Sequence, residues 1–214
     1  MKNISIYMLG AGGHTKVLLD CLRFQKNITV LGILDIDQKC IGHSILGVPV
    51  VGEEDEILKN HSPNAIQLVN GIGSTGLTAQ REFIFNKFKN FGFQFFNVIH
   101  PTAYIGSDVI LGEGVQLMAS CIIQPGSRIG SNVIVNTNAS IDHDCDIADH
   151  AHIAPGVICC GEVTIGYRAH IGSGAIVKQG ITIGEQSLIA AGAVVIRDII
   201  SRSKVAGVPA RSME

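Results

Sequence analysis

The chain has 214 residues, 46% hydrophobic and 16% charged, enough for two small domains with a sizeable core. A net charge of −2 and a pI near 6.4 give no electrostatic reason to expect nucleic acid or an anionic membrane as partner. No apolar run reaches the roughly 18 residues that span a bilayer, and the opening MKNISIYMLGAGGH lacks the h-region of a signal peptide; a cytoplasmic protein is expected.

The first 99 residues alternate strand and helix patterns. Ile4–Leu9 reads as a buried strand, followed by Gly10-Ala11-Gly12-Gly13-His14 and a helix over Lys16–Phe24. Thr29–Asp35, Val48–Val51 and Ala65–Asn70 read as further strands, the last running into Gly71-Ile72-Gly73-Ser74. Thr78–Asn90 has helical amphipathicity with Phe83, Ile84 and Phe88 inward, and Phe93–Val98 closes the domain. Such alternation predicts a small Rossmann-like parallel α/β sheet. Strand, glycine turn and helix together form a phosphate-cradling geometry, since backbone N–H groups at a helix start favour anions. Thr15 stands where a dinucleotide fingerprint has its third glycine, so a tight turn fits as well as a nucleotide site. Asp35 suits a ribose or base contact, or a solvated loop.

After His100-Pro101 the pattern changes to a lattice of six. From Ile105, every sixth residue through Val195 is Ile, Leu or Val, except Cys159. Four residues after each of these stands a small or aliphatic residue, from Val109 to Ile199. Neither a 3.6-residue nor a two-residue period produces this spacing. It predicts a triangular solenoid of 18-residue coils from about Tyr104 to Ile200, one short strand and one corner per hexapeptide. Glycine often follows the interior position, as at Gly106, Gly112, Gly130, Gly166, Gly172 and Gly184, where it is expected to relieve the bend. Of the six cysteines, Cys121, Cys145 and Cys159 fall on the lattice and none forms a CxxC pair, so all are expected to be small packers.

Ionisable residues are sparse inside the solenoid, and the densest run is Asn136-Thr137-Asn138-Ala139-Ser140-Ile141-Asp142-His143-Asp144-Cys145. His143 lies two residues past an interior position, so it faces solvent or a neighbouring subunit, with Asp144 placed to orient it. Such a histidine is a fit general base near neutral pH; the spacing alone also allows an ordinary surface pair. Gly161, 18 residues on, should stack above His143 and offer a backbone N–H to an oxyanion. His152 and His170 should stack on each other, while Pro155, Ser173 and Ala191 form a small-residue column able to line a groove for a thin ligand such as a pantetheine arm, or merely a packing face.

The segments LGAGGH, LDID, NGIG, HPTAYIG, VNTNASIDHDCDI, HIAPGVICCGEVTIG and VAGVPAR, spread over nearly the whole chain, resemble the sialic-acid O-acetyltransferase (NeuD) type of hexapeptide acyltransferase, in particular the UDP-4-amino-sugar N-acetyltransferases of the PglD type. The resemblance implies a left-handed parallel β-helix at 100–214 carrying the acyltransferase and a nucleotide-sugar-binding domain at 1–99. It implies acetyl-CoA as co-substrate, no metal, and a homotrimer with active sites at subunit interfaces. His143 then corresponds to the general base and Asp144 to the residue that raises its basicity. Asn136 corresponds to the acceptor-sugar pocket, and His152, Gly161, Ser173 and Ala191 to acetyl-CoA contacts. Gly12, Gly13, His14, Asp35 and Gly73 correspond to the nucleotide-sugar site, Thr15 reflecting a UDP-sugar rather than NAD, and Arg211 approaches the CoA phosphates. The implied reaction is direct acetyl transfer to the amino group of a UDP-linked 4-amino-4,6-dideoxy sugar of the bacillosamine type; O-acetylation of sialic acid is the alternative. A zinc site from His143, His150, His152 and His170, as in hexapeptide carbonic anhydrases, is the more distant rival, and the HxxxxH spacing associated with those enzymes is missing. A non-catalytic nucleotide-sugar-binding solenoid is the third reading.

Overall fold

The computed structural model describes residues 3–74 and 79–213. They form two compact units: residues 3–73 with Gln80–Val98, and Ser74, Ala79 and residues 99–213.

The first unit is built on a six-stranded sheet ordered β3-β4-β2-β1-β5-β6. Its strands are β1 (Ile4–Leu9), β2 (Ile28–Leu34), β3 (Ser44–Ile45), β4 (Val48–Gly52), β5 (Gln67–Asn70) and β6 (Gln94–Phe95). Only the β3–β4 hairpin is antiparallel, and β1 pairs in parallel with both β2 and β5. Helix α1 covers Gly13–Leu22, α2 Glu56–Asn60 and α3 Ala79–Asn90. The expected start of α3 at Thr78 lies outside the described residues. Helix α1 begins three residues before the expected Lys16, so Gly13, His14 and Thr15 form its first turn rather than a loop.

The inward face of α3 differs from expectation. Phe83 is 65% exposed, while Ile84, Phe85 and Phe88 pack on Leu9, Leu34 and Leu68 of the sheet. The face is set by Arg81, Ile84, Phe85 and Phe88, at the helical offsets 0, 3, 4 and 7. The buried member is an arginine, which a hydrophobicity pattern reads as surface. Phe93–Val98 is likewise not one closing strand: Gln94–Phe95 completes this sheet, and Val98–Ile99 begins a sheet of the repeat region.

The second unit is a parallel β-helix. Two-residue strands pair with partners 18 residues away, as Ile134–Val135 does with His152–Ile153. Three sheets result. Face A includes Gln116–Leu117, Ile134–Val135, His152–Ile153, His170–Ile171 and Leu188–Ile189. Face B runs from Tyr104–Ile105 through Ser140–Ile141 and Ile158–Cys159 to Val194–Val195, and face C from Ile110–Leu111 through Asp146–Ile147 to Thr182–Ile183. The lattice residues from Leu117 to Val195 form one continuous core, with Cys121, Cys145 and Cys159 inside it; Ile105 in the first coil remains exposed.

The corners work differently from the sequence expectation. The residue in the left-handed region is three past the interior position, at every sixth residue from Asp108 to Gly192, and is often not glycine: Asn132, Asn138, Asp144, His150, Glu162 and Arg168 all have φ near +60°. The glycines directly after the interior position serve close approach instead. A Cβ on Gly112 would lie 2.5 Å from Ser131 N, and one on Gly166 2.5 Å from Glu185 N, both backbone atoms of the next coil. Beyond the last full coil, Lys204–Ala206 pairs with Leu188–Ile189 and then, antiparallel, with Arg211–Ser212. Val194 N donates to Gly207 O and Ala210 N to Val194 O.

Candidate active site

His143 and Asp144 stand at the corner between faces B and C. The His143 Nδ1 lies 2.9 Å from Asp144 Oδ2, so Nδ1–H donates to the carboxylate and Nε2 carries the lone pair. The Asp142 carboxylate accepts the His143 backbone N–H. Hydrogen bonding to Asp144 is the main cause raising the His143 pKa, with further help from the Asp142, Asp144 and Glu162 charges against partial desolvation. Glycines in both neighbouring coils make room for the pair. A Cβ on Gly161 would sit 2.6 Å from His143 Nε2, and one on Gly126 2.4 Å from Asp144 Oδ1. Gly161 thus stacks on His143 as expected, and its first physical role is clearance for the imidazole. Cys145 next door is buried, with its thiol pushed up to about 11 chiefly by burial, so it is not a thiolate nucleophile at neutral pH.

Asn136, His152, Ser173 and Ala191 come together elsewhere, in a cavity of about 430 Å³ on face A and the corner between faces A and B, with His170 and Ser74 in its wall. His152 and His170 are register partners whose rings meet edge to face at 4.9 Å. The small-residue column Pro155, Ser173 and Ala191 therefore lines a groove rather than a packed seam. Within one chain this cavity and His143 occupy different corners, separated by the width of face B, and Gly161 belongs with His143 rather than with the other three expected acetyl-CoA contacts. Spacing shows which residues share a column but not which columns converge. Face B presents an exposed apolar ladder, Tyr104, Ile122, Ile158 and Ile176. His150 lies at the third corner, buried against Tyr167 and bonded to Asn132. Among the described residues no group of three or more His, Cys, Asp or Glu is placed to hold a metal ion.

In the first unit the glycine turn, Asp35 and Gly73 gather at the ends of β1, β2 and β5. A Cβ on Gly73 would lie 3.2 Å from His14 Cβ, whereas Cβ atoms on Gly12 and Gly13 would meet open space. The helix start is thus uncovered at Gly12 and Gly13. Asp35 accepts the Ala11 N–H on one carboxylate oxygen and the Asp37 N–H on the other, so it fixes the turn whatever else it touches. Two residues here have structural roles that the sequence reading did not assign. The Thr15 hydroxyl, fully buried, bonds Gly10 O and Gly71 O and ties the two glycine loops together. The buried Arg81 guanidinium donates from Nη1 to Asn70 O and Ile72 O; burial lowers its pKa to about 9, leaving it charged at neutral pH. Arg211 is exposed and its Nη1 bonds Ala210 O.

Comparison with known proteins matches residues 5–88 to the PglD N-terminal domain and 162–197 to the hexapeptide repeat of succinyl-transferase. A search of curated protein sequences returned no match. Among solved structures, the acetyltransferase domain of PglB from Neisseria gonorrhoeae FA1090 is 34% identical, with 99% of this chain and 100% of that one covered and a TM-score of 0.89. It has also been solved in complex with acetyl coenzyme A. PerB from Caulobacter crescentus, in complex with CoA and GDP-perosamine, is 36% identical over 98% of this chain and 97% of that one, TM-score 0.88. WeeI from Acinetobacter baumannii AYE is 27% identical over 99% and 100%, TM-score 0.85.

Proposed function

This chain belongs to the hexapeptide-repeat acetyltransferases of the NeuD/PglD type and is an acetyl-CoA-dependent sugar N-acetyltransferase on a left-handed β-helix; from that premise we propose that its acceptor is a UDP-linked 4-amino-4,6-dideoxy sugar of the bacillosamine-precursor kind. The observation that carries the mechanism is the His143–Asp144 pair seated over Gly161. His143 Nε2 takes the proton as the sugar amine attacks the thioester carbonyl, and the imidazolium is stabilised by Asp144. A backbone N–H at Gly161 helps hold the oxyanion. The tetrahedral intermediate then expels CoA, with no covalent enzyme intermediate.

Residues 1–99 serve as the nucleotide-sugar-binding domain, with the uncovered start of α1 at Gly12, Gly13 and His14 receiving the diphosphate and Asp35 and Gly73 flanking it. Residues 100–214 carry the transfer, with Asn136 toward the sugar and His152, Ser173 and Ala191 along acetyl-CoA. A homotrimer packed through the apolar ladder of face B would bring His143 of one chain to the cavity of the next, placing active sites at subunit interfaces. Six unpaired cysteines fit a reducing, cytoplasmic setting.

His143→Ala should lower kcat about 10³-fold while leaving acetyl-CoA binding and oligomeric state unchanged; near-wild-type turnover rejects the base. Thiol release from acetyl-CoA, assayed with UDP- and GDP-linked 4-amino sugars and with sialic acid, identifies the acceptor. The GDP-perosamine complex of PerB makes the guanine arm the serious competitor. Preference for it would correct the base, and preference for sialic acid would overturn N-transfer. A fully active monomer would overturn the shared site.

A further inference from the structure

Ser74 groups with the β-helix unit, and its Oγ lies 2.6 Å from His152 Nδ1. The direction of that bond follows from the far side of the imidazole. The Thr137 backbone N–H can only donate, so the Asn136 atom 2.8 Å from it is Oδ1. That leaves Nδ2, solely a donor, 3.3 Å from His152 Nε2. Nε2 accepts, the imidazole proton sits on Nδ1, and Nδ1–H donates to Ser74 Oγ.

This polarity is the reverse of a serine nucleophile, whose hydroxyl gives its proton to the imidazole. Here the Ser74 hydroxyl proton is left to be donated onward, and Ser74 borders the cavity. His170 belongs to the wall of the same cavity, but it is 7% exposed and its Nδ1 is buried, without accessible surface; burial lowers its pKa. Among the described residues lining the cavity there is no Asp, Glu, Lys or Arg, which suits an uncharged polar group better than a phosphate.

We propose that Ser74 is a ligand-contacting residue of this cavity, donating its hydroxyl proton to a neutral amide, thioester or hydroxyl group of the bound substrates. The relay through Asn136 and His152 aims the Ser74 proton. The inference rests on the acetyltransferase reading, and two substrates carry such groups: the pantetheine arm of acetyl-CoA and the hydroxyls of the acceptor sugar.

The test uses the full chain. In Ser74→Ala, KM should rise about tenfold for one substrate, the worth of about one hydrogen bond, with Ser74→Thr recovering most of the loss. A rise for acetyl-CoA assigns the contact to the pantetheine arm; a rise for the sugar assigns it to a hydroxyl. Long-range ¹H–¹⁵N spectra of the ligand-free protein should show His152 as the neutral Nδ1–H tautomer, and this readout needs no activity. An Nε2–H tautomer or an imidazolium at neutral pH overturns the relay. KM values within twofold of wild type for both substrates in Ser74→Ala overturn the contact while leaving the acetyltransferase reading intact. If the wild-type chain acetylates no amino sugar, that reading fails, yet the tautomer and direct titration with acetyl-CoA still decide the relay and the pantetheine contact.

Discussion

The two units reach order by opposite routes. In the β-helix one local solution recurs: an aliphatic residue inward, a left-handed corner residue three positions later, a small residue after it. In the N-terminal unit each junction is solved once, by a pair of residues that fit only each other, such as Thr15 with Gly71 or Arg81 with the Asn70 and Ile72 carbonyls. Repetition makes structure readable from sequence, because every coil votes on the same rule. Single-use junctions leave no period, so their partners stay invisible until the chain is folded.

The sharpest way to break this contrast is at α3. Phe85→Ala should destabilise the protein by about 4 kcal/mol in denaturant unfolding, the cost of emptying a buried aromatic site. Phe83→Ala should stay within about 0.5 kcal/mol. Equal effects would mean that the inward face has been assigned wrongly.

Next comes the catalytic corner. Gly161→Val puts branched carbon atoms where the His143 ring stands, and kcat should fall about 100-fold. Acetyl-CoA affinity should fall by less than kcat, since His152, Ser173 and Ala191 line the cavity at another corner of the chain. An equal loss of acetyl-CoA affinity would make Gly161 an acetyl-CoA contact before it is a neighbour of the base.

At the glycine loops, a Cβ on Gly71 would lie 1.9 Å from Thr15 Oγ1 and 2.9 Å from Leu9 O. Gly71→Ala should therefore cost about 2 kcal/mol, in the range of overpacked cores. Thr15→Ala in the same chain should return part of it, and strict additivity in the double-mutant cycle would deny the coupling.

The smallest effect is also the most diagnostic. Asp144 raises the His143 pKa mainly by hydrogen bonding, so the imidazole of the wild type becomes a competent base only above that raised value. Asp144→Asn removes the charge. The acid limb of kcat/KM against pH should move to lower pH, and the plateau should fall about tenfold as the ring loses its tether. An unmoved acid limb would assign the titration to another group.

These cases show how legibility was distributed. The solenoid, its core stripe and the stacking of Gly161 on His143 follow from counting by six and eighteen. The misreading of the glycines came from a true correlation with the wrong cause: Gly112 and Gly166 are small because the next coil's backbone is close, while the bend falls on residues such as Asn132 and Asp144. That His143 and the Ser173 groove stand at different corners of one chain was not legible, because a period fixes position along a corner but not the distance between corners. Ser74 and Arg81 were missed because a serine in a glycine loop and an arginine in a helix both read as surface.

The closing segment has a consequence of its own. A stack of parallel rungs ends in open backbone donors and acceptors, a template onto which another chain's rung could add without limit. Here Arg211–Ser212 turns back antiparallel on Lys204–Ala206, while Gly207 and Ala210 occupy Val194. Reversing strand direction beyond the last coil spoils the match for a parallel newcomer on two of the three walls, so the same hairpin should also disfavour end-to-end fibre growth.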